Sequence, residues 1–352
     1  MKRILTFLAV ATITAACSPK EQNPYEYTAP EFKKTYKAEI VPLNTSVICS
    51  MCSSLEICED KLILNINNAD NKNVFQVFSA ADGRFLRSFA TKGRGDNELL
   101  DYFRTAYDRQ NHIIYAVDNS SQYQQIDARK AANGDKDYII KNDLGFSGNK
   151  TIFIQPLSNG RILHTGTQNR YFSTNADYFD TVVLCDKYPL VTALIDADTV
   201  KRKTYLQLNA KVATSPDGEK FVASTRYGML MEAFDVSADK LTPRFVKRFY
   251  EPRLKNAYMA EEGVAWGTCS IKATNKYIYV MYSPTKWNDA KNIRLGVFDW
   301  TGKSVACYEF GDQIVHNYTV TPDDKRAYCW VQNADGEEYL GYFDLKYLSL
   351  RR

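Results

Sequence analysis

Histidine is scarce in this chain: there are three in 352 residues. His112, His164 and His316 fall in separate stretches, so no local spacing suggests a metal or general-base site. The chain has no Gly-x-Ser-x-Gly elbow and no phosphate-binding glycine loop. The pair Cys49-Ser-Met-Cys52 has the spacing of redox and zinc sites. It lacks both a second pair to complete four ligands and the strand-to-helix setting of a thioredoxin motif. A structural disulfide or two buried thiols is therefore expected there, with no metal and no cofactor. No block of basic residues is present either. Setting Lys2 and Arg3 aside from 45 basic residues leaves 43 against 41 acidic ones, so nucleic acid is not an expected partner.

What is abundant is aromatic residues on strand-like segments, with 24 tyrosines and 18 phenylalanines. A unit of two apolar strands about a tight polar turn, followed by a third strand, recurs six times. The turns fall at Glu59-Asp60, Arg109-Gln110-Asn111, Ser158-Asn159-Gly160, Pro216-Asp217-Gly218, Thr274-Asn275 and Pro322-Asp323-Asp324. The third strands read VFQVFS, YQQID, TVVLCD, MLMEAFD, RLGVFD and EYLGYFD, closing at Ser79, Asp127, Asp186, Asp235, Asp299 and Asp344. A period of roughly 45–60 residues, mostly strand, predicts an all-β fold, a six-bladed β-propeller. An aspartate at the equivalent position in five of the six units predicts turn capping rather than carboxylate chemistry.

The pattern places blade one at 53–58, 61–66, 74–78 and 84–89, and blade two at 103–108, 112–118, 122–127 and 137–141. Blade three is expected at 151–157, 161–166, 181–186 and 190–195. Blade four follows at 209–214, 220–225, 229–235 and 244–249, and blade five at 269–274, 277–282, 293–299 and 303–310. Blade six has only 316–321, 326–332 and 338–344. Tyr36 to Leu43 (YKAEIVPL) has no blade of its own, so it is expected to pair with 338–344 and close the ring.

The N-terminus carries an address. Lys2 and Arg3 precede a short apolar stretch, Ile4 to Ala16, too short to span a bilayer as a mature helix. It ends in Thr14-Ala-Ala-Cys17, which resembles the lipobox of bacterial lipoproteins, with Thr14 where an aliphatic residue is usual. The resemblance implies a signal peptide at 1–16, acylation of Cys17 and a membrane anchor. Residues 17–33, with prolines at 19, 24 and 30, read as a flexible tether, and 34–352 as the propeller. Eight cysteines less Cys17 leave seven. Cys185, Cys269, Cys307 and Cys329 fall within strands and read as small hydrophobes.

Three segments carry a family resemblance. Ala213-Thr-Ser-Pro-Asp-Gly-Glu-Lys-Phe-Val-Ala-Ser224 resembles the repeat of TolB-type propellers, and VTPDDKRAYCW (320–330) is a weaker copy. Lys92-Gly-Arg-Gly-Asp-Asn-Glu98 is similar to the glycine-rich connecting loop of six-bladed lipoproteins in Bacteroides-type bacteria, with Asp96 where proline is usual. The implied family is six-bladed and placed in the cell envelope, on the periplasmic side or the outer-membrane surface. Its motifs are structural, and Arg94-Gly95-Asp96 within them reads as a turn.

Strand parity separates two faces. First-to-second and third-to-fourth turns share one end, and the remaining connections share the other. Nearly all the long connections, 90–102, 167–180, 250–268 and 283–293, fall at the second end. They hold Arg94, Arg170, Tyr171, Tyr178, Arg253, Tyr258, Trp266 and Trp287. Aromatics beside arginines are the composition of binding surfaces, so this face is expected to bind an envelope protein, peptide or glycan. The alternative is a propeller hydrolase or lyase with a polar site at the channel mouth. The first strands, which would line the channel, offer mostly hydroxyls with Glu56, Arg104, Lys211 and Lys272. One acid among several cations is a thin catalytic set, so binding is favoured over catalysis.

Overall fold

A computed structural model describes residues 26–43, 52–66, 72–93, 98–99, 102–118, 122–144, 151–166, 170–174, 181–185, 210–256, 259–285 and 292–346. Six antiparallel meanders follow one another along the chain, each with its strands in sequence order across the sheet. Blade one is Cys52–Cys58, Lys61–Ile66, Asn73–Ser79 and Phe85–Lys92, with Glu98–Leu99 added in parallel to the last. Blade two is Tyr102–Asp108, Ile113–Asp118, Gln122–Asp127 and Ile139–Leu144. Blade four is Ala210–Thr214, Lys220–Thr225, Met229–Val236 and Leu241–Tyr250. Blade five is Gly267–Ala273, Tyr277–Ser283, Arg294–Asp299 and Ser304–Glu309. Blade six supplies Ile314–Val320, Arg326–Gln332 and Glu338–Asp344.

Blade three differs from expectation. Its strands are Thr151–Pro156, Ile162–Gly166, Tyr171–Thr174 and Thr181–Cys185. The segment expected as its third strand, 181–186, is therefore the fourth, and part of the expected loop 167–180 is the third. Short strands of mixed composition such as YFST carry little periodicity, and the apolar run TVVLC carries more. Tertiary pairing of Thr165 with Tyr171 and of Leu163 with Ser173 decides the matter. The expected strand 190–195 lies outside the described residues.

Burial explains the composition strand by strand. Second and third strands are sandwiched between neighbouring blades and are apolar on both faces, as in Met229–Val236, where the first six residues are buried. Fourth strands form the rim and are largely half-exposed. Among the described residues, the buried side chains fall into six clusters, and each bridges one pair of successive blades. Leu55, Leu62 and Leu64 of blade one pack with Tyr328, Trp330 and Leu340 of blade six, which joins the last blade to the first. Burying one such side chain contributes about 1.5–3 kcal/mol, so the ring is held mainly by its six interfaces.

The N-terminal segment lies along the rim. Thr35–Lys37 pairs in parallel with Ser304–Glu309 of blade five, with the Tyr36 ring stacked on Tyr308 at 5.4 Å. Val41–Pro42 then pairs antiparallel with Glu338–Asp344, and Leu43 N–H donates to Leu340 O at 2.8 Å. The single closing strand expected over 36–43 is thus divided between blades five and six. The open edge of blade five and its Tyr308 capture the first half, and proline is acceptable in the second because it lies on an edge. Residues 26–33, expected as part of a tether, lie against the domain. Thr28 N–H donates to Arg248 O at 2.9 Å, and the Phe32 ring meets Phe298 edge-on at 5.4 Å. Residues 1–25, with Cys17 and the expected signal peptide, are outside the described residues, as is Cys49. Of the Cys49–Cys52 pair, only the backbone of Cys52 is described.

The recurrent strand-end residues cap turns in part. Asp127 accepts from Lys130 N–H at 2.9 Å and starts the short helix Ala128–Asn133. Asp299 accepts from the Thr301 and Lys303 amides, at 2.8 and 3.1 Å. Asp235 and Asp344 instead pair across strands with Arg244 and Arg326.

Candidate functional site

The first strands of all six blades face the axis, and a cavity of about 560 Å³ occupies it. Its wall includes Ser54 and Glu56, Thr105 and Tyr107, Gln155, Lys211 and Thr214, Ser270 and Lys272, and Asn317. It reaches the first-to-second turns of blades two, three and four, through Gln110 and Asn111, Ser158 and Gly160, and Pro216 and Gly218. These turns lie at the short-turn end. The cavity therefore reaches the end opposite to the long connections that composition singles out.

Why these turns hold their shape follows from local chemistry. Asp108 ends the first strand of blade two, and its Oδ1 accepts from the Gln110 and Asn111 amides, both at 3.0 Å. Gly218 has φ +69°, and a Cβ there would come within 2.2 Å of Ser158 N. Only glycine lets the turns of blades three and four approach so closely.

The charged side chains form one network across several blades. Glu56 is paired with Lys272 of blade five and lies 3.5 Å from the Arg109 guanidinium of blade two. Arg109 also donates to Val320 O at 3.1 Å and Thr319 Oγ1 at 2.9 Å, both in blade six. Ser54 and Thr105 hydroxyls meet at 3.2 Å, and Thr214 donates to Gln155 Oε1 at 3.4 Å. Among the described residues, the lining carries Arg109, Arg161, Lys211 and Lys272 against Glu56 and Asp108. Asp108 is committed to its turn, and Arg161 donates to Ser173 Oγ at 2.9 Å.

Burial shifts the remaining titratable groups in or beside the wall toward their neutral forms. Burial pushes the Cys269 thiol up to about 12 and lowers the His316 imidazole. Behind Tyr107, its hydroxyl lies 2.7 Å from His112 Nδ1, and Cys58 Sγ is 3.5 Å from the same nitrogen. This resembles a cysteine–histidine pair, but burial raises the thiol and lowers the imidazole. Both partners thus favour their uncharged forms, the reverse of an activated nucleophile. His164 is wholly buried, with Nε2 at 2.9 Å from Thr174 Oγ1.

The described residues among those expected at the long-loop face do not come together. Arg94, Tyr178, Tyr258 and Trp287 lie outside the described residues. Arg253 is exposed and within 4.0 Å of Glu251 and Glu261 carboxylates. Trp266 is half-buried against the cluster of blades five and six. Arg170 and Tyr171 require correction, since neither is on an open loop. Tyr171 opens a strand and packs edge-on against Phe221 at 5.0 Å, and Arg170 stacks over the Tyr171 ring and pairs with Glu232 of blade four. Arg170 and Glu232 are 6% and 5% exposed, so they pin an interface between blades.

Of the four charged residues assigned to the channel from sequence, Glu56, Lys211 and Lys272 line the cavity. Arg109 belongs to a turn in the sequence pattern, and its position one residue beyond a first strand is the signal that marks it.

Comparison with known proteins agrees with this architecture. The family model for the TolB-like 6-blade propeller-like family matches residues 31–323, and the chain belongs to that family. Its fold is shared by a crystal structure of a "Putative exported protein" from Bacteroides fragilis, at 14% identity and a TM-score of 0.55, covering 90% of this chain and 99% of that one. It is likewise shared by a member of the duf4221 family from Bacteroides vulgatus, at 11% identity and a TM-score of 0.55, covering 88% and 97%. No curated protein matches the chain.

Proposed function

We propose that this TolB-like propeller is the binding module of an exported, lipid-anchored envelope protein, and that it holds a small polar ligand in its axial cavity. The carrying observation is the cavity itself, lined from all six blades and within the size range of small-molecule sites. Its wall is mostly hydroxyl, amide and charged groups, so a ligand that hydrogen-bonds is favoured over an apolar one, which would leave those groups unpaired. Catalysis is less well supported. Acid–base chemistry needs a carboxylate or imidazole available for proton transfer, whereas Glu56 is shared by Lys272 and Arg109 and Asp108 is committed to its turn.

Export is supported by the N-terminal apolar stretch and by the name of the B. fragilis protein of like fold. Anchoring rests on Thr14-Ala-Ala-Cys17. A Cys17→Ser chain expressed with labelled fatty acid should lose its acyl label; retained label would sink the anchor.

The cavity reading is tested by thermal shift against a panel of hydrophilic small molecules, using the native chain and Thr214→Trp, which fills the wall. A ligand at 100 times its Kd stabilises by about 2.7 kcal/mol. Hits should stabilise the native chain alone. Equal shifts in both would place binding elsewhere.

A further inference from the structure

We infer that the axial cavity recognises a small hydroxylated anion, a sugar acid or a comparable hydroxy acid, with its carboxylate received by Lys272 and Arg109 and with Lys211 adding positive charge to the same wall. The inference rests on the axial cavity being the ligand site. It starts from the charge balance of the wall, where, among the described residues, four cations face two carboxylates. Asp108 spends its acceptors on the turn amides of Gln110 and Asn111 and on Asn111 Nδ2. Arg161 is turned to Ser173, where it meets both the hydroxyl and the carbonyl. Among the described residues, Arg109, Lys211 and Lys272 therefore share the cavity with Glu56 as the one remaining acid. In a recess walled by protein, an excess of one sign focuses the field and raises the local concentration of the opposite ion.

Geometry adds orientation to charge. Glu56 touches both Lys272 and Arg109, so the two cations are held on one side of the cavity before any ligand arrives. Arg109 is fixed further by Val320 O and Thr319 Oγ1. Fixed donors cost less ordering on binding than mobile ones. A guanidinium has five N–H donors and an ammonium three, so each retains capacity for an incoming carboxylate. The rest of the wall supplies Ser54, Thr105, Thr214 and Ser270 hydroxyls and the Gln155 and Asn317 amides. Such a set matches a ligand rich in hydroxyls. Two sources of the carboxylate are chemically open, a sugar ring and an amino-acid derivative. The abundance of hydroxyl partners favours the sugar.

The experiment is titration calorimetry on the mature chain with D-glucuronate, D-glucose and N-acetyl-L-glutamate as probes. D-glucose keeps the hydroxyls without the carboxylate, and N-acetyl-L-glutamate keeps carboxylates without the hydroxyls. Glucuronate should bind at least about tenfold more tightly than either. Its affinity should fall when NaCl is raised from about 20 to 300 mM, while any glucose binding should not. Lys272→Met and Lys211→Met should each weaken glucuronate by about tenfold or more. The salt arm uses the unaltered protein, so a poorly folded variant does not rescue the idea. Equal affinity for glucose and glucuronate, with no effect of Lys272→Met, overturns the anion assignment. If Thr214→Trp still abolishes that binding, the cavity reading survives on its own. N-acetyl-L-glutamate binding as well as glucuronate keeps the anion and discards the sugar. No heat from either acid at millimolar concentration overturns the inference outright.

Discussion

Glu56 and Lys272 form an ion pair between blades that are not neighbours in the ring, since blade six stands between blades one and five. Arg109 completes the network from blade two at 3.5 Å from Glu56. The pair is about 15% exposed, so it is partly screened and worth less than a dry one. Glu56→Gln leaves two half-buried cations without their carboxylate. The expected loss of stability is about 1–3 kcal/mol, read from the urea midpoint. Lys272→Met in the Glu56→Gln background should cost less than the sum of the single changes, because the two residues share one interaction. Additive losses would mean that the pair does not couple the blades.

A drier pair holds blades three and four. Arg170 and Glu232 are both nearly excluded from solvent. Removing one partner of such a pair strands the other, at a cost of about 3–5 kcal/mol. Arg170→Met should therefore be severely destabilising in chemical denaturation. The double variant Arg170→Met, Glu232→Met should recover most of the loss, since apolar side chains of similar length can replace a buried pair. A mild effect of Arg170→Met alone would show that water reaches Glu232.

Much of the architecture is legible in the sequence because it rests on local signals. Ser215 to Lys220 shows this, with the Ser215 and Lys220 backbones bonded at 2.9 Å across a glycine at φ +69°. Blade three was misplaced where local signals compete. Arg170 and Tyr171 have the composition of a binding loop, and only the position of Glu232 and Phe221 in blade four reveals that they are buried. The axial residues were legible for a different reason. First strands must face the axis once the fold is a propeller, so Glu56, Lys211 and Lys272 could be assigned from topology. That the cavity opens among short turns was not legible, because loop length says where chain is plentiful and not where space is left.

Acid should weaken the fold through its histidines. Burial holds the His164 imidazole at about 3, against an ordinary value of 6.5. The unfolded chain therefore takes up a proton near pH 6.5, whereas the folded chain resists until about pH 3. Stability from this residue is complete above pH 6.5 and is lost as pH falls toward 3, by up to about 1.4 kcal/mol per pH unit. His112 and His316 are shifted in the same direction by burial. His164→Gln keeps a donor for Thr174 without titrating, so its stability between pH 6 and pH 4 should fall less steeply. An unchanged acid limb would mean that His164 does not govern it.

The rim segment should guard against association. Thr35–Lys37 and Val41–Pro42 cover the outer edges of blades five and six. Deleting residues 26–43 exposes two rows of backbone amides and carbonyls, a template for pairing between chains. The truncated protein should melt at lower temperature and form oligomers in light scattering at concentrations where the full chain does not. A monodisperse truncation with an unaltered melting temperature would show that the blades hold the ring unaided.

Two turn glycines allow close approach to be separated from backbone strain. Gly160 and Gly218 adopt nearly the same left-handed φ, +73° and +69°. A Cβ on Gly160 meets nothing within 4 Å, whereas one on Gly218 meets Ser158 N at 2.2 Å and Leu157 C at 2.9 Å. Gly160→Ala should thus cost only the left-handed penalty, about 1–2 kcal/mol. Gly218→Ala should cost that much and more, because backbone must move. The movement separates the turns of blades three and four, which both border the cavity. Ligand affinity should therefore fall in Gly218→Ala and hold in Gly160→Ala at matched fractions folded. Equal losses of stability and binding in the two variants would count against the contact between the turns as the element that shapes the cavity mouth.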